Sequence, residues 1–141
     1  FCGAIEMDGA TRVGFDLIKG GMAKYNLSAP IFMPSPVKPR YDQWLTFEGI
    51  SVENGTNYYL DATVAYRQAC LKAIDYLTHF GFTASQAYML LTAAPVEGRI
   101  GGIVDIPNCA CTVSIPTAIF DQDITPKGML NDKSHWGRKP D

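Results

Sequence analysis

Between residues 61 and 94 the sequence changes from a strand-like to a helix-like pattern, so that helices lie between strands along the chain. The first helical segment has an N-cap residue at Asp61, and Gly81 can end it in the left-handed conformation. A second helix follows, opened by a capping box of Thr83 and Gln86. We therefore predict an αα-hairpin near residues 61–94 that packs against a sheet. The apolar stripe of its first helix consists of Tyr66, Cys70, Ala73, Ile74 and Leu77.

Strand-like segments flank the helices on both sides. Asp8-Gly9 and Asn54-Gly55 are dipeptides typical of two-residue hairpin turns, and each is flanked by strand-like sequence. After the helices, residues 109–115 alternate between apolar and small or polar side chains, as a half-buried strand does. This order argues against a doubly wound parallel sheet. It predicts an α+β fold that is rich in β-structure, with sandwich-like antiparallel sheets.

Two features of the first forty residues predict local structure. The first hairpin should cover residues 1–17, because Val13, Phe15 and Leu17 alternate with other residue types on the second strand. The four prolines of residues 30–40 predict an extended, polyproline-like segment instead of a strand within a sheet. That segment is either a connector on the surface or an arm that crosses onto a neighbouring subunit.

Composition excludes several classes of function. A formal charge of -2 with scattered lysines and arginines gives no electrostatic footprint for nucleic acid. No apolar run approaches the roughly 18 residues that a membrane helix needs. The four cysteines lack the spacing of a structural zinc site and lie in apolar patterns, which favours reduced thiols and a cytoplasmic location. They are Cys2, Cys70, Cys109 and Cys111.

Charged residues gather in one apolar region, although only 18% of the chain is charged. Glu97, Arg99 and Asp105 surround the glycine-rich residues 98–102, which we interpret as a turn. One hypothesis is a structural ion pair, either Glu97–Arg99 or Arg99–Asp105, because buried charges must be paired. The other is a site in which one carboxylate acts as general base or metal ligand beside a glycine-lined pocket. No G-x-S-x-G nucleophile motif competes with these carboxylates.

Several long blocks of the sequence carry a family resemblance. They are "CGAIEM", "LIKGGM", "FEGISV", "YLDATVAYRQACLKAIDYL", "APVEGRIGGIVDIPN" and "IPTAIFDQDI". Together, from Phe1 to about Pro126, they resemble the C-terminal half of the acetamidase/formamidase family, closest to its formamidase branch. The resemblance implies hydrolysis of a short aliphatic amide, with formamide favoured, to ammonia and the carboxylate. It also implies a cytoplasmic homo-oligomer.

The resemblance also has implications for the catalytic site. In the family, the block "CGAIEM" follows a G-D-G-E segment and a histidine-containing stretch, neither of which this sequence contains. It therefore implies a divalent metal such as zinc, with ligands mainly in the missing N-terminal half, which would be a necessary partner. Four residues of this chain fall at family-like positions, and we infer catalytic roles for them. They are Glu97, Asp105, Arg99 and Glu6.

The predicted organisation follows from the extent of the resemblance. Residues 1–126 are predicted to be the C-terminal part of a formamidase-like domain, and residues 127–141 an irregular tail. An alternative is a non-catalytic, β-rich assembly or scaffold module. In that case Glu97, Arg99 and Asp105 would form a core or interface network.

Overall fold

The computed structural model describes residues 8–32, 41–105 and 108–127. Contacts divide the chain into a compact unit over Glu6–Arg40 and a larger unit that contains the sheets and the helical hairpin. The α+β class, with antiparallel sheets, is confirmed. The elements are α1 (Gly21–Lys24), β1 (Trp44–Ile50), β2 (Val52–Glu53), β3 (Thr56–Asn57), α2 (Ala62–Thr78), α3 (Ala84–Ala93), β4 (Glu97–Val104), β5 (Asn108–Pro116) and a 3-10 turn (Thr117–Ile119).

The smaller unit differs from the prediction. Residues 8–18 form no strand, and the side chains of Val13, Phe15 and Leu17 are exposed. The predicted second strand of the first hairpin is therefore wrong. A strand depends on hydrogen bonds to a neighbouring strand, and no described residue supplies them to this segment. The predicted first strand lies outside the described residues, as do residues 33–40 of the proline-rich segment.

The main sheet has the strand order β1-β5-β4, and all of its pairs are antiparallel. The middle strand, β5, alternates along its length as the sequence predicted. Its buried residues face α2, which packs across β1 and β5, and its partly exposed residues face away from that helix. Val113 and Ile115 are fully buried there, and so are Cys109 and Cys111, which are free thiols.

The αα-hairpin is confirmed. The Asp61 carboxylate accepts hydrogen bonds from the first turn of α2, and Gly81 follows the helix with a φ of 89°. Thr83 and Gln86 form the predicted capping box at the start of α3. The buried face of α2 is richer in alanine than the predicted stripe, because small side chains let the helix approach the sheet closely. It consists of Val64, Ala65, Ala69, Ala73 and Leu77.

A small hairpin joins β1 to α2. Strands β2 and β3 pair around Asn54 and Gly55, whose φ angles of 49° and 78° are both positive. Two successive positive φ values are what a type I′ turn requires, so the turn prediction is confirmed. Among the described residues, none of the helices has the length and apolar character needed to cross a bilayer.

Candidate functional site

Residues 98–102, interpreted from the sequence as a turn, lie within strand β4. The turn prediction is wrong. Glycine also occurs within strands, at positions where another group comes so close to the backbone that a side chain would not fit. A side chain at Gly98 would meet the ring of Tyr66 on α2 at 2.7 Å. A β-bulge between Ile100 and Gly102 adds one residue to β4, so that Ile100 and Ile103 share the helix-facing side of the sheet.

The side of the sheet that faces away from α2 carries polar side chains in its central part, and we call it the polar face. Its central part consists of two rows that run across all three strands, because residues paired across strands share a face. In one row the hydroxyls of Thr46 and Ser114 are 2.8 Å apart. The members are Thr46, Ser114 and Glu97 in the first row, and Glu48, Thr112 and Arg99 in the second.

Glu97 and Arg99 come together on the polar face. The Arg99 guanidinium donates a hydrogen bond to the Glu97 carboxylate at 2.6 Å. Both side chains remain accessible, with exposed fractions of 44% for Glu97 and 71% for Arg99. Of the two predicted ion pairs, the structure therefore contains Glu97–Arg99. Its exposure makes it a weak contributor to stability and leaves both groups open to a small molecule.

The other two predicted site residues are not brought to this pair. Asp105 lies in the turn after β4 with a φ of 51°, and its carbonyl accepts a hydrogen bond from the Asn108 N–H at 2.8 Å. Asp105 is six positions along the chain from Arg99, with five strand residues between them, which corresponds to about 20 Å. Glu6 lies outside the described residues.

Glu48 is a residue of the polar face to which sequence reasoning gave no site role. It lies directly across β5 from Arg99, so two strand spacings, or about 10 Å, separate their Cα atoms. The register of β1 and β4 on the two sides of β5 is the signal that identifies it. With Glu48 included, the polar face presents two carboxylates, one guanidinium and three hydroxyls, which can exchange protons and bind a small polar molecule.

An open pocket of about 530 Å³ lies on the opposite side of β4, next to the first turns of α2. Burial, followed by the neighbouring Cys70 thiol, raises the pKa of the Tyr66 phenol that lines it. Burial also raises the pKa of the Cys70 and Cys111 thiols. These groups stay protonated near neutral pH, so they are poor nucleophiles and suit a packing role.

The described residues do not form a metal site by themselves. No three histidine, cysteine, aspartate or glutamate side chains within residues 8–32, 41–105 and 108–127 are placed to hold one ion. A divalent metal therefore stays a prediction that depends on ligands from elsewhere, and we derive no catalytic step through it.

Comparison with known protein families gives a match over most of the chain. The sequence model of the Acetamidase/Formamidase family matches residues 1–122. The chain is 55% identical to the formamidase of Methylophilus methylotrophus over 127 residues, which is 89% of this chain and 31% of the relative. It is also 55% identical to the acetamidase of Mycolicibacterium smegmatis over 118 residues, covering 79% of this chain and 29% of that enzyme.

A solved structure shows the same similarity in three dimensions. The gamma lactamase from Delftia acidovorans aligns with a TM-score of 0.73 and 60% sequence identity. The alignment covers 77% of this chain and 27% of the lactamase chain. The chain thus spans about a third of the length of the curated relatives that it matches.

Proposed function

The chain belongs to the acetamidase/formamidase family, and on that premise we propose that it is part of a longer enzyme that hydrolyses short aliphatic amides. Formamide is the favoured substrate, and ammonia and the carboxylate are the products. The observation that carries the proposal is 55% identity to a formamidase and to an acetamidase, over 127 and 118 residues. Because the chain spans about a third of these relatives, the remainder of such an enzyme is a necessary partner.

The polar face supplies groups that suit this reaction. Water must lose a proton as it attacks the amide carbon, and the leaving nitrogen must gain one before it departs as ammonia. Glu97 is our candidate for this proton transfer. Arg99, hydrogen-bonded to it at 2.6 Å, is our candidate to stabilise the oxyanion and to bind the carboxylate product.

The remaining predictions accompany this proposal. A divalent metal such as zinc would be held mainly by ligands outside this chain and would activate the attacking water. A cytoplasmic location is supported by the free thiols of the described cysteines, and a homo-oligomeric state rests on the earlier resemblance. Catalytic roles for Glu6 and Asp105 stay predictions.

The test uses an enzyme reassembled by producing this chain together with the part of the Methylophilus formamidase that it does not match. Glu97→Gln should reduce formamide turnover by about a hundredfold or more, because it removes a proton-transfer group. Glu53→Gln is the matched control, since Glu53 also pairs with an arginine, Arg67 at 2.7 Å, but on the β2–β3 hairpin. The control should retain turnover.

The scaffold alternative gives a different result in the same experiment. If Glu97 is only an ion-pair partner, Glu97→Gln should leave turnover per folded molecule unchanged. Ammonia release that is insensitive to Glu97→Gln, or its absence from the reassembled complex, would contradict the proposed role. The 141-residue chain by itself should release no ammonia from formamide.

A further inference from the structure

The backbone of the main sheet has a fixed polarity that can be read from two hydrogen bonds. The Ser51 N–H donates to the Cys109 carbonyl at 3.0 Å, and the Thr117 N–H donates to the Gln43 carbonyl at 3.1 Å. Backbone groups alternate in direction along a strand, so odd-numbered residues of β5 direct their N–H and C=O groups toward β1. The even-numbered residues of β5 direct theirs toward β4.

This alternation determines which backbone groups of β4 point away from β5. Residues of β4 that face even-numbered residues of β5 are engaged in the ladder between the two strands. The others direct their N–H and C=O groups out of the sheet, and no described residue hydrogen-bonds to them. These outward-directed residues are Gly98, Ile100 and Ile103.

The two edges of the main sheet differ in how well they are protected against pairing with another strand. At the β1 edge, the Lys72 ammonium donates a hydrogen bond to the outward-directed Glu48 carbonyl at 2.9 Å. A lysine at a strand edge is a common device against pairing with another strand. Strand β4 is eight residues long and contains no proline or lysine. Its charged residues, Glu97 and Arg99, are paired with each other on the polar face.

Apolar side chains along β4 are also exposed to solvent. Ile100 is 61% exposed, Ile103 51% and Val104 62%. Beside them, the pocket of about 530 Å³ is bordered by Tyr66, Gly98 and Cys111, so side chains of an added strand could fill it. Exposed apolar side chains next to unpaired backbone groups are the pattern that strand addition requires.

We propose that the edge of β4 is the docking surface for an extended strand from the part of a family-length enzyme that lies outside this chain. That occupant is favoured over a second copy because the relatives are about three times as long as the segment that this chain matches. The added strand extends the main sheet and covers Ile100 and Ile103. This inference goes beyond the proposed catalytic role and does not depend on it.

The test measures binding of this chain to the part of the Methylophilus formamidase that it does not match. Ile100→Pro removes one outward N–H while sparing the ladder with β5, since proline is tolerated at that side of an edge strand. We expect its binding to weaken by about tenfold or more. Ile100→Val keeps the N–H, and Ile50→Pro places the same change at the opposite edge. Both controls should bind like the unaltered chain.

Amide hydrogen exchange gives a second readout that does not depend on the variants. In the unaltered chain, the amides of Gly98, Ile100 and Ile103 should exchange quickly when it is alone and slowly in the complex. Three results would overturn the proposal: equal binding by Ile100→Pro and Ile50→Pro, protection of these amides in the isolated monomer, or a dimer of this chain that protects them. A complex of the unaltered chain that forms normally but does not hydrolyse formamide would contradict the catalytic proposal alone.

Discussion

At the scale of single residues, Gly49 is where helix α2 and strand β1 come closest. A Cβ atom at this position would overlap the Ala65 carbonyl oxygen and the Ala69 nitrogen of α2. Both obstacles are backbone atoms, so a rotamer change cannot relieve the overlap and the helix must move. The approach of α2 to the sheet therefore depends on the absence of one side chain.

Gly49→Ala should lower the free energy of unfolding by about 3 kcal/mol, the upper part of the range for overpacked cores. Gly101→Ala is the matched control in the same sheet, because its nearest neighbour, the Ala110 carbonyl oxygen, would be at an ordinary 3.4 Å. Urea denaturation of both variants measures the difference. Equal stabilities would show that α2 is not seated as described.

The half-buried thiol of Cys70 makes the stability of the folded state depend on pH. Burial raises the pKa of its thiol, so the folded state holds this proton more tightly than the unfolded state does. The resulting stabilisation is complete below the ordinary thiol pKa of about 8.5 and is lost as pH rises through the raised value. Cys111 and Tyr66 shift in the same direction.

The melting temperature should therefore fall as the pH is raised above about 9, and Cys70→Ala should make the fall shallower. Melting curves recorded across this range for both proteins check the slope, which is informative even if the variant is less stable throughout. Parallel curves would mean that the Cys70 thiol has no raised pKa.

At the scale of elements, the helical hairpin depends on its caps. The Thr83 hydroxyl accepts a hydrogen bond from the Gln86 N–H at 3.2 Å, and the Gln86 side chain accepts one from the Thr83 N–H at 2.8 Å. Thr83→Ala should cost about 1 kcal/mol of stability. Thr92→Ala, on the same helix but away from its start, should cost less, and chemical denaturation can rank the two. The reverse order would contradict the capping role.

The elements that the sequence predicted correctly are those with local signals. Asp61, Gly81 and Asn54-Gly55 act through hydrogen bonds and φ preferences within a few residues, so they can be recognised without a fold. The glycine-rich residues 98–102 were misread as a turn because the contacts that place them in a strand come from distant parts of the chain. Tyr66 above Gly98 and the pairing with β5 are tertiary contacts that no local pattern records.

At the scale of the whole molecule, the buried residues are concentrated in the larger unit. Both buried clusters draw on residues from Leu45 to Ile124, and no described residue of the range 8–32 belongs to either. A variant in which a short flexible linker replaces residues 8–32 should therefore unfold cooperatively, with a melting temperature close to that of the full chain. Calorimetry can test this, and loss of the cooperative transition would contradict it.

The candidate site shows the same division between local and global information. Glu97 and Arg99 could be paired from the sequence because they lie two residues apart. Placing Glu48 near them requires the register of three strands, and separating Asp105 from Arg99 requires knowing that a strand lies between them. The site was therefore only partly predictable, since topology decides which residues share a face.

The strand order β1-β5-β4 also determines when the sheet can form during translation. Among the strands of the described residues, β5 is the centre of the main sheet and also the last to be translated, and the paired residues Thr46 of β1 and Ser114 of β5 are 68 positions apart. At 5–20 residues per second, β1 waits on the order of several seconds for its neighbour to be translated. During that interval, apolar Leu45 and Phe47 lack the strand with which they pair, which makes Trp44–Ile50 the segment of a nascent chain where a chaperone would act.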